Sequence, residues 1–378
     1  MNILICMDSF KGSLTSMEAG NACATGIRRV YPDAEITVRP LADGGEGTTQ
    51  ALVAGLNGTY QTVTVSDPLG RPMHAQYGIL PDGTSVIEMA AASGLTLLSE
   101  TERDPMKTTT FGFGEMIRDA IGKGSRNFIL GIGGSATNDG GIGCLQALGY
   151  DFLDANGEQA AFGAECVSQI AAISEKHILP ELRDCTFHVA CDVKNPLCGK
   201  SGCSAVFAPQ KGADAVMIAQ MDAALERFAK LTKTVHPDAD AAFPGAGAAG
   251  GLGFGLMAYL NASLEPGVDL ILRETGLEQA VKSADYVITG EGCLDAQTAM
   301  SKAPIGLTRL AKAHGKPVIA FSGAVREGAE ACNEAGIDAY FPVLRRLESP
   351  ELAMHPEHAG RNLADTAEQA FRLMKAIS

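Results

Sequence analysis

The sequence predicts an α/β protein: a doubly wound parallel-sheet domain built from both ends of the chain, with a second, mixed α/β domain inserted between them. Three observations carry this reading. The first 58 residues read strand, helix, strand, helix; β-rich segments joined by a hairpin signal then replace that alternation; and strand–helix alternation returns from Ala284. A chain of 378 residues is also long for a single core. The domains are therefore drawn at 1–58 with 277–378, and at 59–276.

Asn2 to Met7 is a short apolar run ending at Asp8, followed by the capping box Thr15-Ser16-Met17-Glu18 and an apolar face at Ala19, Ala22, Cys23, Gly26, Ile27 and Val30. A second strand, Glu35 to Leu41, passes Asp43 and Gly44-Gly45-Glu46-Gly47 into a helix carrying Ala51, Leu52 and Leu56. Tyr60 to Val65, His74 to Leu80 and Ser85 to Met89 are β-rich, the last two joined by Pro81-Asp82-Gly83. The inserted domain continues with a helix near Gly114 to Ile121, strands at Asn127 to Leu130 and Thr186 to Cys191, and a helix from Asp214 to Leu231. A second glycine-rich stretch, Gly245 to Gly255, fits either close helix packing or ligand contact. Tyr286 to Thr289, a helix with Pro304 in its first turn and Gly315 past its end, Pro317 to Phe321, and Ala339 to Val343 restore the alternation. Leu363, Ala367, Ala370, Phe371, Met374 and Ile377 line the final helix.

Composition narrows the function. A net charge of −14 argues against a nucleic-acid groove or an anionic membrane surface, yet permits a local basic pocket for a small anion. The chain opens directly on a strand and has no run long enough to span a bilayer, which points to a cytoplasmic protein without membrane partners. Ten cysteines scattered through apolar segments read as reduced thiols. Cys191, Cys198 and Cys203 match no zinc spacing. The 44 glycines, well above an average of roughly 7%, mark many tight loops.

Ligands of an open parallel sheet sit outside the carboxyl ends of its strands, so the residues after each strand are the informative ones. They are Asp8-Ser9-Phe10-Lys11-Gly12, Asp43-Gly44-Gly45-Glu46-Gly47, Gly290-Glu291-Gly292 through Asp295-Ala296-Gln297-Thr298, and Ser322-Gly323-Ala324. An Asp-Gly pair alone is a turn; three carboxylates on one rim beside Lys11 and Lys302 are the parts phosphoryl transfer needs. In the inserted domain the strand ending at Leu130 opens into Gly131 to Gly143, whose glycines, with Ser135 and Thr137, can cradle phosphate at a helix start; a tight strand-to-helix turn is the alternative. Cys191-Asp192-Val193-Lys194-Asn195-Pro196-Leu197 also sets an Asp after a strand, as a functional carboxylate or as a turn cap.

A Walker A loop is excluded because Lys194 stands where its first glycine belongs. Gly131, Gly133 and Ala136 with Asp151 partly satisfy a dinucleotide fingerprint, which keeps an NAD-dependent dehydrogenase as an alternative. A non-catalytic small-acid binding protein is a third.

Taken in order, the blocks at Asp8–Ser13, Ala42–Thr48, Gly133–Gly141, Cys191–Leu197 and Thr289–Thr298 resemble the signature blocks of bacterial type I glycerate kinases. The resemblance implies a flavodoxin-like domain with a second α/β domain inserted, and ATP-dependent phosphorylation of D-glycerate to 2-phosphoglycerate, glycerate 3-kinase regiochemistry being the variant. On this reading Gly133, Gly134, Ser135, Thr137, Asn138, Asp139, Gly290, Glu291 and Lys302 hold ATP. Asp192, Lys11, Asp43 and Asp8 form the catalytic set, Asp192 and Asp295 bind Mg2+ between the domains, and a homodimer is compatible with the sequence. One departure is Ser301, where the family commonly has glycine before the lysine of its Gly-Lys-x-Pro block; its Cβ disfavours a positive φ.

Overall fold

The computed structural model describes residues 1–377, leaving aside the side chains of Met300 and Ser301. Two compact units emerge. One comprises Met1–Asp43, Gln50–Asn57 and the chain from Gly267 onward; the other comprises Gly44–Thr49 and Gly58–Pro266. The second unit thus ends at Pro266, ten residues before the expected 276, and takes in Gly44–Thr49.

The first unit is a five-stranded sheet in the order Glu35–Val38, Asn2–Met7, Tyr286–Leu294, Val318–Val325, Ala339–Pro342, with every neighbouring pair parallel. Counted along the chain within this unit, that is 2-1-3-4-5, the flavodoxin-like order. Alternation along each strand builds two cores. Ile3, Ile5, Met7, Ile288, Ile319 and Phe321 belong to one core, shared with the helices Ser16–Arg28 and Pro356–Ile377. Leu4, Cys6, Val287, Val318 and Ala320 belong to the other, shared with Gly267–Glu274, Leu277–Ser283 and Ala303–Ala313. At about 1.5–3 kcal/mol for each large apolar side chain buried, these two faces are what hold the layers together.

The helix Ser16–Arg28 starts where the sequence places it. Thr15 Oγ1 accepts from the Glu18 N–H at 3.2 Å, and Glu18 Oε2 accepts from the Thr15 N–H at 2.9 Å. Gly26, on its buried side, lies against the Ala364 carbonyl of the final helix, in the space a Cβ would fill.

The second unit holds a six-stranded sheet in the order Ser263–Glu265, Thr186–Ala190, Asn127–Gly131, Ser85–Glu88, Pro72–Ile79, Thr59–Ser66. The first four strands are parallel and the last two join antiparallel. The change of direction follows from the connections. Gly83, at φ 85°, turns the chain back after Leu80, whereas the helix Phe111–Gly122 provides the crossover that parallel pairing requires. Asp214 caps the helix Ala215–Val235 by accepting from the Val216 and Met217 N–H groups.

One strand outruns its expected end. Tyr286 continues through Gly290 and Glu291 to Leu294, with Glu291 paired to Ser322. The ladder closes because Gly290 has no side chain: a Cβ there would collide with the Phe321 carbonyl and lie 2.8 Å from Met7 Sδ. Gly290 and Glu291 are therefore strand residues rather than loop residues. Ser301 ends the short helix Thr298–Ser301; its side chain lies outside the described set. All ten cysteines are free, and among the described residues no helix is long and apolar enough to cross a membrane.

Candidate active site

The flavodoxin-like order has its switch point between the first two strands to be paired across the middle, Asn2–Met7 and Tyr286–Leu294, and a crevice opens at their carboxyl ends. Asp8 stands there, its N–H donating to the Gly290 carbonyl at 2.8 Å so that the ladder runs up to the carboxylate. A cavity of about 640 Å³ at this edge is lined by Asp8, Lys11, Asp43, Glu291 and Lys302, with Phe10, Val343 and Met354 as apolar wall. Five of the expected residues thus share one hollow within one unit.

Asp8 is only 6% exposed. Burial pushes its carboxyl up to about 7; Asp43 and Glu291 add repulsion, while the Ser9 N–H, donating to Asp8 Oδ1 at 2.7 Å, and Lys11 oppose the rise. Lys11 is exposed on a tight loop made possible by Gly12 at φ 74°. Such a loop leaves the ammonium free to swing toward an anion in the hollow.

Glu291 is buried, which raises its pKa against the Thr298 hydroxyl, donating at 2.6 Å, and against Lys302, whose Nζ lies 3.4 Å away. Asp295 follows the strand as a turn cap: its Oδ1 accepts from the Gln297 and Thr298 N–H groups at 2.9 and 3.0 Å, and Lys302 Nζ lies 3.8 Å away. Burial would raise the Asp295 pKa, but those donors and Lys302 outweigh it and hold it below the usual range. Gly290 does not line the hollow; it is buried packing, for the reason given above.

In the second unit the loop after Asn127–Gly131 divides in two. Gly133 and Gly134 are exposed, Gly134 at φ 73°, while Ser135 through Asp139 are buried. Asp139 faces inward. Its Oδ2 accepts from the Thr110 N–H and hydroxyl at 2.8 Å each and from the Gly143 N–H at 3.3 Å; Oδ1 accepts from the Gly141 N–H at 3.1 Å. Burial raises its pKa against these donors. The amides at the start of the helix Ile142–Ala147, expected to greet phosphate, are thus occupied by the protein's own carboxylate. Asn138 donates to Ser204 Oγ at 2.9 Å. Asn138 Oδ1 and Thr137 Oγ1 are buried and find no partner among the described residues.

The second glycine-rich stretch packs against this loop. Ala249, Gly250 and Gly251 all have positive φ inside the helix Ala248–Leu260, and the Gly140 N–H donates to the Gly250 carbonyl at 3.0 Å. A Cβ on Gly250 would strike the Thr137 carbonyl. Its glycines therefore serve close approach of two backbones.

Asp192 is exposed on the segment after the strand Thr186–Ala190. Among the described residues, no group of three or more His, Cys, Asp or Glu side chains is arranged to hold a metal. Two groups escaped sequence reasoning. Glu88, at the end of its strand, accepts from the Thr49 and Gly47 N–H groups at 2.6 and 3.3 Å and so fixes the Gly44–Thr49 segment. Lys211, 1% exposed, donates to Ser135 Oγ and to the Thr137 carbonyl at 2.6 Å each. Neither sits in a motif; only the tertiary pairing reveals them.

Comparison with known proteins agrees with this fold. The model of the glycerate kinase family matches residues 3–375. A glycerate kinase of Haemophilus influenzae is 45% identical over 99% of both chains, and the glycerate 2-kinase of Escherichia coli K12 is 43% identical over 97% of this chain and 98% of its own. A solved structure from Salmonella typhimurium LT2, described as a putative glycerate kinase 2, superimposes with a TM-score of 0.92 at 43% identity, covering 100% of this chain and 98% of its own. The dehydrogenase and small-acid-binder readings fall with these matches. From the carboxylates at the switch point to the glycine loop, along its whole length, the chain belongs to the glycerate kinase family.

Proposed function

We propose that this kinase transfers the terminal phosphoryl group of ATP to the 2-hydroxyl of D-glycerate, with Asp8 as general base. The observation that carries the proposal is Asp8 itself: a buried carboxylate at the switch point, pushed up to about 7, beside Lys11. A base poised near the working pH is the one that gains most from accepting a proton as it leaves. The 2-hydroxyl oxygen forms the new bond to the γ-phosphorus while the bridging P–O bond to ADP breaks, and the hydroxyl proton passes to an Asp8 oxygen. Lys11 pairs with the carboxylate or phosphate, and Lys302, with Glu291 beside it, neutralises phosphoryl charge. The choice of the 2-hydroxyl is supported by the likeness to a protein named glycerate 2-kinase.

Magnesium would screen phosphate charge and, in this chain, would be held by Asp192 together with phosphate oxygens, a small ligand set that suits this ion. Asp192 fits because it is exposed after its strand. Asp295 fits less well, since Oδ1 is engaged in its own turn and Lys302 partly matches its charge. Incubating the protein with ATP, Mg2+ and D-glycerate and identifying the product by NMR should give 2-phosphoglycerate; 3-phosphoglycerate would reassign the acceptor hydroxyl.

A further inference from the structure

Lys211 is buried beneath the glycine loop, and its two hydrogen bonds dictate something about the loop's outer side. An ammonium donates and never accepts. Ser135 Oγ, 2.6 Å from Lys211 Nζ, must therefore be the acceptor, and its own hydrogen has to point elsewhere. The second bond, to the Thr137 carbonyl, ties the same ammonium to the backbone two residues on, so the loop cannot rotate away from it. Ser135 is 8% exposed, and among the described residues its hydroxyl accepts from Lys211 and donates to no protein acceptor.

We infer that Lys211 is a positioning residue of the phosphoryl-transfer reaction: its ammonium fixes the Ser135 hydroxyl as a donor to an anionic oxygen of a substrate. The inference rests on the reading that this loop holds an anion, either a phosphate of ATP or the carboxylate of glycerate. Without the ammonium, Ser135 is free to spend its hydrogen inside the loop, for instance on a neutral amine. The buried charge also supplies attraction where Asp139 has already occupied the helix amides. Lys211 touches no reacting atom and acts through Ser135.

The titratable groups facing Lys211 are the thiol of Cys203, itself pushed up to about 11 by burial, and Asp139 of the loop; burial lowers the Lys211 pKa to about 8, against the pull of both. Below that value the ammonium directs Ser135 outward; above it a neutral amine can accept the Ser135 hydrogen instead. Neither a carboxylate nor a phosphate titrates above pH 8.

The test is steady-state kinetics on the full chain with Ser135→Ala, Lys211→Met and the double variant, each checked by thermal melting. Each single variant should raise one KM about tenfold or more, the cost of a lost hydrogen bond to a charged group, and the double variant should be no worse than Lys211→Met. A rise in the KM for ATP identifies phosphate; a rise in the KM for glycerate identifies carboxylate. The wild-type value of that KM should climb through pH 8 to 9.5, and the climb should vanish in Ser135→Ala. If Lys211→Met does not fold, that pH comparison decides. Ser135→Ala raising a KM while folded Lys211→Met leaves it unchanged, or a flat wild-type profile, overturns the inference alone. Unchanged KM values for both substrates in Ser135→Ala overturn the inference together with the anion-loop reading beneath it.

Discussion

Asp8 links the site's electrostatics to two measurements. Its folded pKa, about 7, lies above the ordinary value of 3.8, because burial and neighbouring carboxylates disfavour the charged form. As a base it must be ionised, so kcat should fall as pH drops below about 7, and Asp8→Asn should cost on the order of 10²-fold or more in kcat. Stability runs the other way. The folded state binds the proton more tightly than the unfolded chain, so the group's contribution is fully present below 3.8 and is lost as pH rises through 7. Asp8→Asn should therefore melt above the wild type at pH 8 and converge with it near pH 4. A variant both inactive and more stable is the signature of a group placed for chemistry, and melting curves across that range check it.

At the scale of elements, local chemistry that acts within a few residues was legible and contacts between distant segments were not. The Thr15 capping box, Pro304 in its helix's first turn and the Asp82-Gly83 turn can be read off the sequence because each is satisfied by neighbours in the chain. Thr15→Ala should cost about 1 kcal/mol, and Gly26→Ala should cost about 1–3 kcal/mol or more, because its Cβ meets the Ala364 carbonyl. Urea unfolding of both variants measures this, and the second cost exceeds the first only if the helix contact is as tight as observed. The strand through Gly290 and Glu291 ran past its expected end for the same reason Gly26 matters. Glycine written beside an acidic residue reads as a turn, whereas here it admits a neighbouring backbone that lies thirty-one residues away in sequence. Asp139 illustrates the remaining difficulty: its loop position was readable, but its inward direction depends on Thr110, supplied by a different element. Lys211 and Glu88 follow suit, since burial of a charge under a loop leaves no local pattern.

For the whole molecule, each unit has its own core: Phe113, Phe128, Phe152 and Phe228 belong to that of the second, while the two sheet faces belong to the first. Separate cores favour separate cooperative transitions. Calorimetry should accordingly give a van't Hoff enthalpy smaller than the calorimetric one, and Leu225→Ala, in the second core, should lower one transition while leaving the other in place. Coincident melting of both would mean that the units unfold as one.

The central strand Asn2–Met7 has Glu35–Val38 on one side and Tyr286–Leu294 on the other. During synthesis the first partner leaves the ribosome almost at once, whereas the second follows only after the intervening unit has been made. At roughly 5–20 residues per second, the unpaired edge of that strand waits on the order of 10–50 s. The inserted unit, nearly all of it contiguous in the chain, is complete before the segment that carries Glu291 exists. The strand Asn2–Met7 is thus paired on its second side only late in synthesis, and until then Asp8 ends an open edge that nascent-chain chaperones, or another copy of the same strand, are able to reach.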